Sequence, residues 1–261
     1  MTYNVQVGDG GFLGWKLLQR TSERQLEIFK NDKQLQNARD YFSEKLPSIK
    51  TAEDLTSDYK MMSVALRAFG LDDDLPNKAF IKKVLEADPD DKDSIVNKLT
   101  DKRYLKLNEA FGMGAGSSSS SDKMDASKIL DLYVTRSFEK NVGERYSEIE
   151  LAMNTQRELP SLASGTSSNN TKWYQIIGSK SLMKVFQGAF GLSSTFSQIP
   201  VDRQLEELKK RTDTMFGSSD ASQFSDPEKL NKLINNYLIK SSIDTQGSSS
   251  HYSVALTILR G

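Results

Sequence analysis

The phrase Ala68-Phe69-Gly70-Leu71 closes one apolar run and returns as Ala189-Phe190-Gly191-Leu192 at the close of another. Both runs have helical spacing, with Met62, Ala65, Leu66 and Phe69 on one face and Leu182, Phe186 and Phe190 on the other run's face. A glycine directly after such a stripe suits the left-handed position past a helix end, where a side chain would clash. The apolar residue behind it can then fold back on the last turn. Phe69, Gly70, Leu71 and Phe190, Gly191, Leu192 therefore read as structural helix stops, with Leu71 meeting Leu66 and Leu192 meeting Phe186. A weaker copy, Ala110-Phe111-Gly112-Met113, is expected to follow the same rule, Met113 reaching Leu107. Stops about 120 residues apart point to an internal duplication. The expected fold is all-α: a multi-helix globular protein of two weakly similar halves with a short apolar C-terminal tail.

The rest of the pattern fills in the halves. Residues 1–11 read as a polar, flexible arm. A helix from Phe12 carries Trp15 and Leu18 until Thr21 and Ser22 interrupt it, and a capping box of Ser22 and Gln25 opens a second segment with Leu26 and Phe29. Leu35, Ala38, Phe42 and Leu46 make the next helix, ended by Pro47. Thr51 and Asp54 form an N-cap leading into the helix that stops at Gly70. Phe80 to Leu85, Ile95 to Leu99 and Tyr104 to Phe111 give three more. Beyond the serine run, Leu130 to Met153 hold a spacing fit for one long helix as far as Pro160, followed by a loop over 161–171. A short element with Trp173 and Ile176 and a helix from Val201 to Met215 come next, and Ser225-Asp226-Pro227-Glu228 reads as a capping box opening the last helix. Asn231-Lys232-Leu233 echoes Asn97-Lys98-Leu99. The division expected is a first helical half at 1–115, a Ser-rich linker at 116–121, a second half at 122–240 packed on the first, and a tail at 241–261.

Composition removes much chemistry. The chain has no cysteine, so disulfides, thiolate nucleophiles and thiolate metal sites are excluded. Its only histidine, His251, sits near the C-terminus, a poor place for a catalytic triad. Lys plus Arg and Asp plus Glu both number 35, which leaves no bulk charge for nucleic acid. Lys82-Lys83 and Lys209-Lys210-Arg211 read as solvated helix faces. Gly8, Gly10, Gly11 and Gly14 miss the dinucleotide pattern, because Leu13 stands at the third glycine. The run Asp88, Asp90, Asp91 and Asp93 fails as a calcium loop, with Lys92 at a ligand position and Leu99 where the bidentate glutamate belongs. Trp15, Trp173, Phe69 and Phe190 fall at helical spacings and are expected in the core. No catalytic residue, metal ligand, cofactor or membrane-inserted segment is expected, and synthesis is expected in the cytosol. The window Val254, Ala255, Leu256, Thr257, Ile258, Leu259 has strand-like character, and Val254, Leu256, Ile258 and Leu259 are candidate partner-binding residues.

Several separated runs also resemble one known family. Ser48-Ile49-Lys50-Thr51-Ala52-Glu53-Asp54-Leu55-Thr56-Ser57 leads through Val64 to Leu71 and on to Phe80-Ile81-Lys82-Lys83-Val84-Leu85-Glu86. With Asn97-Lys98-Leu99 and Asp101-Lys102-Arg103-Tyr104, this resembles the alphaproteobacterial domain of unknown function 1217. Gly14-Trp15-Lys16, Leu18-Gln19-Arg20-Thr21, Thr171-Lys172-Trp173-Tyr174 and Asp202-Arg203-Gln204-Leu205 resemble members whose genes lie among flagellar genes. The resemblance implies a mainly helical fold and a flagellar association, and it carries over no catalytic residue. The expectation is a non-enzymatic structural or assembly component with other flagellar or export proteins as partners, exported through or attached to the flagellum. The alternative is a cytosolic chaperone or adaptor for an export substrate, and a cell-wall hydrolase is the third reading.

Overall fold

The computed structural model describes residues 3–114 and 125–242, and among them the chain is helical with no strand. Helices run as α1 (Gly11–Lys30), α2 (Lys33–Lys45), α3 (Ala52–Ser57), α4 (Tyr59–Phe69), α5 (Lys78–Glu86), α6 (Ile95–Lys98) and α7 (Arg103–Phe111). They continue as α8 (Ala126–Gly143), α9 (Ser147–Ser164), α10 (Asn169–Gly178), α11 (Lys180–Phe190), α12 (Val201–Phe216) and α13 (227–242). The serine run, His251 and Val254 to Leu259 lie outside the described residues.

Two compact units result. Unit 1 holds residues 1–5 and 22–141, and unit 2 holds 6–21 and 142–261. The boundary thus falls within α1 and within α8, not at the serine run where composition had suggested it. Inside unit 1, α2 packs on α4, and α3 packs on both α4 and α5; inside unit 2, α9 packs on α11, and α10 on both α11 and α12. The same arrangement occurs twice. The joints repeat as well: Asp58 links α3 to α4 at φ −87°, ψ 104°, and Ser179 links α10 to α11 at φ −87°, ψ 109°. Each joint residue caps the helix that follows. Asp58 Oδ1 accepts from the amides of Lys60 and Met61 at 2.9 and 3.1 Å, and Ser179 Oγ accepts from Leu182 at 3.4 Å. Asn231 does not share a setting with Asn97, since Asn97 lies in the single turn of α6 and Asn231 in α13.

The helix stops behave as their chemistry requires. Gly70 sits at φ 70° and Gly191 at φ 64°. Leu71 N–H donates to Leu66 at 2.8 Å and Gly70 N–H to Arg67 at 3.0 Å, while Leu192 donates to Gln187 at 2.9 Å and Gly191 to Gly188 at 3.1 Å. This pair of bonds is the Schellman ending. Leu71 and Leu66 share the core of unit 1. The third copy departs from the rule: Gly112 N–H donates to Asn108 O at 2.8 Å, the simpler left-handed cap, and Met113 lies at the edge of the core.

Other expectations change for local reasons. Helix α1 runs unbroken past Thr21 and Ser22, because Thr21 turns its hydroxyl back onto Leu17 O at 2.9 Å and leaves the backbone ladder intact. The N-terminal residues are anchored, with Val5 and Val7 buried and Val5 N–H donating to Asn141 Oδ1 at 2.9 Å. Thr51 and Asp54 do form a capping box, but around the short α3, and Asp58 restarts the chain as α4. The long helix expected to Pro160 is two. Gly143 ends α8 where Glu150 of α9 passes so closely that a Cβ would lie 1.8 Å from its Oε2. Pro160 lies inside α9, which continues to Ser164, so the loop expected at 161–171 shortens to 165–168. The cap of α13 is Asp226, not Ser225: its Oδ1 accepts from Glu228 N–H at 2.9 Å, while Ser225 ends a 3-10 turn.

The expected aromatics are in the cores. Trp173 is fully buried in unit 2, edge-on to Phe186 at 5.5 Å and Phe224 at 6.5 Å, and its indole N–H donates to Ser219 O at 3.0 Å. Phe42, Met61, Met62, Val84, Leu85 and Leu107 occupy the centre of unit 1.

Candidate functional site

Helix ends in a buried core expose carbonyls that need donors, and this chain meets the need with long polar side chains. Asn108, fully buried, donates to Val84, Leu85 and Ala87 at 2.7, 3.3 and 2.8 Å, closing the end of α5. Gln204 does the same for Ser197 and Ile199 at 3.3 and 2.7 Å. Lys172 is buried and holds Ala163 O and Ser222 Oγ, both at 2.7 Å. The two stops receive cations: Arg103 donates to Gly70 O, and Lys240 to Ala189 O at 2.9 Å. Arg103 is held in turn by Asp101, and Arg67 pairs with Asp72. Burial works against the charge of Asp101, and the hydrogen bond and charge of Arg103 outweigh it, leaving the carboxyl below its usual range. All these polar groups are engaged in holding helix ends, which makes them structural.

One opening lies in unit 2. A cleft of about 1130 Å³ is bounded by the glycine-rich turn from Val7, the first turns of α1, the turn between α8 and α9, and the last turns of α13. The turn follows from its glycines. Gly10, at φ 77°, lies so close to Tyr146 that a Cβ would stand 2.3 Å from the ring, and Gly14 abuts Val7 O, which a Cβ would meet at 2.6 Å. Tyr146 O–H donates to Gly8 O at 2.5 Å. Apolar residues stand exposed on the cleft: Leu13 at 79%, Leu17 at 42% and Ile239 at 44% of full exposure.

The polar groups on this cleft are disposed for fixing the walls. Glu148 Oε1 accepts from Gly11 N–H at 3.1 Å, so a carboxylate already takes the place at the start of α1 that a phosphate would need. Ser241 and Ser242 both donate to Leu238 O, at 3.0 and 2.8 Å. Burial, with a contribution from the charge of Glu148, raises the Tyr237 phenol well above its usual value and keeps it neutral. Beside Asp9 and Arg145, the cleft presents leucine and isoleucine in a concave setting, suited to receiving an apolar segment.

The sequence-predicted residues fall elsewhere. The stops at Phe69, Gly70, Leu71 and at Phe190, Gly191, Leu192 end α4 and α11, one in each unit, and do not line the cleft. The acidic run turns its carboxylates onto its own backbone, Asp88 accepting from Asp90 N–H at 2.9 Å and Asp91 from Asp93 N–H at 2.8 Å. Lys82 pairs with Glu53 at 2.5 Å and Arg211 with Glu207 at 2.6 Å, as solvated helix faces do. Among the described residues no group of acidic or imidazole ligands could hold a metal ion, and no helix is long and apolar enough to cross a membrane. The cleft itself went unread in the sequence. Its one signal was Leu13 and Leu17 at positions where a helix buried on one face shows polar residues.

Comparison with known proteins gives two likenesses. The family model described as protein of unknown function DUF1217 matches residues 68–230. A crystal structure of a protein from Agrobacterium tumefaciens, determined in a structural genomics programme, superposes with a TM-score of 0.72 at 24% identity, covering 93% of this chain and 99% of that one. That likeness shows a shared fold. No curated protein matches.

Proposed function

The chain belongs to the family of proteins of unknown function DUF1217, and from that premise we propose that it is a non-enzymatic component of the bacterial flagellum, structural or assembly, acting through protein–protein contacts. The observation that carries the contact reading is the exposed apolar lining of the unit 2 cleft, where Leu13, Leu17 and Ile239 stand in solvent. Isolated surface leucines need no explanation, but several around one concavity mark a binding surface. The flagellar part is supported by the runs around Trp15, Trp173 and Asp202, which resemble family members encoded among flagellar genes. Partners are other flagellar or export proteins, and the protein ends attached to the flagellum or exported through it.

Fractionation with an antibody against the purified protein tests this. The proposal predicts the protein in the basal-body fraction or the culture medium. Recovery only from cytosol, bound to one client, would replace it with the chaperone reading. Clearing of peptidoglycan by the purified protein in a zymogram would replace it with a hydrolase.

A further inference from the structure

The last residue bordering the cleft is Ser242, and the chain continues from there through residues 243–261. The continuation is polar from Asp244 to Ser250, then turns apolar at Val254-Ala255-Leu256-Thr257-Ile258-Leu259. We propose that this apolar window is the occupant of the cleft in the free protein, packing against Leu13, Leu17 and Ile239 of its own chain.

Chemistry, reach and mass action converge on that occupant. The window carries no charge and the cleft presents exposed leucine and isoleucine, so each offers the apolar surface the other lacks. The spacer from Ser242 to Val254 extends to about 40 Å at full stretch, ample for a return to a cleft that begins at its own root. A short tether holds the window at an effective concentration on the order of millimolar, far above that of a second copy in dilute solution. Arg260 follows the window, and Asp9 on the cleft makes no ion pair or hydrogen bond among the described residues. The consequence is mutual cover: cleft and tail hide one another until a partner competes for either. This goes beyond the proposed function and holds whether or not that partner is flagellar.

The absence of cysteine makes the test direct. A nitroxide is attached to Ser147→Cys, an exposed position on the cleft that leaves the apolar residues intact. Amide signals of residues 254–259 are then followed by NMR in the full chain. The expected result is loss of those signals with the oxidised label and their return on reduction. Adding Ile239→Glu, at a site 44% exposed and in a variant whose thermal melt matches the parent's, restores them under the oxidised label. Signals unchanged by the label overturn the proposal. So does broadening in an isotope-labelled, cysteine-free copy mixed with the spin-labelled protein, since that places the window in the cleft of a second copy.

Discussion

Substituting alanine at the two AFGL stops separates backbone strain from side-chain crowding, because the two glycines share a conformation but not a neighbourhood. Gly70 and Gly191 differ by only a few degrees in φ, at 70° and 64°. A Cβ in this region costs about 1–2 kcal/mol by itself. At Gly191 the new methyl would meet only Lys240 Nζ at 3.4 Å, an ordinary contact. At Gly70 it would stand 2.7 Å from Arg136 Nη1 and 3.0 Å from Cζ, so the guanidinium must move. Because that group is the movable end of a long side chain, the added cost falls at the low end of overpacking, roughly 1 kcal/mol. Gly191→Ala should therefore lose about 1–2 kcal/mol and Gly70→Ala about 2–3 kcal/mol. For units of this size that gap is roughly 4 °C in Tm. Calorimetry reads both units, and Trp15 and Trp173 fluorescence reads unit 2, where both tryptophans lie. Combining Gly70→Ala with Arg136→Ala should return the extra 1 kcal/mol or so as a coupling energy. Equal shifts at the two glycines would refute the role of Arg136, and no shift at either would refute the left-handed stop and the duplication argued from it.

Lys172→Met should destabilise unit 2 by about 1–3 kcal/mol, since Ala163 O and Ser222 Oγ lose a buried donor, as urea titration of Trp173 fluorescence would show. Asn108→Leu should cost about 2–4 kcal/mol in unit 1 because three carbonyls at the end of α5 lose their donor, measurable by calorimetry. Acid should loosen α4 before α11. Asp58, which caps α4, is held below the usual carboxylate range, whereas Ser179, which caps α11, does not titrate. For Asp58, burial opposes the charge, and the Tyr41 hydroxyl at 2.6 Å with the amides of Met61 and Lys60 outweighs it. A depressed folded pKa contributes stability above the unfolded value near 3.9, lost as pH falls through the folded pKa. Hydrogen exchange should thus show α4 opening below about pH 4 while α11, capped by Ser179, stays closed, and Asp58→Ser should reduce that difference.

How far the fold was legible depended on how local each determinant is. The Schellman stops at Gly70 and Gly191 involve residues within a few positions of one another, so their types and spacing sufficed, and the Thr51–Asp54 cap was legible although the short helix it opens was not. Where long-range packing decides, sequence pattern misled. By propensity alone Gly143 costs a helix only about 1 kcal/mol, yet it is the point where Glu150 of the next helix passes close. Thr21 was read as a break because hydroxyl residues compete with the ladder, and here the hydroxyl bonds back four residues without breaking it. Asn108, Gln204 and Lys172 gave no signal, since the carbonyls they hold belong to other turns or helices. The cleft was hidden for a related reason: its walls come from residues 7–17, 145–148 and 237–242, brought together only by the fold of unit 2.

Deletion of the gene, with complementation by the intact copy, tests the proposed function most directly. Swimming in soft agar and electron microscopy of the cell surface are the readouts. The account predicts lost or reduced motility with missing or defective flagella, restored by the intact gene but not by a copy carrying Leu13→Glu and Ile239→Glu. Normal swimming and normal filaments in the deletion strain would contradict it.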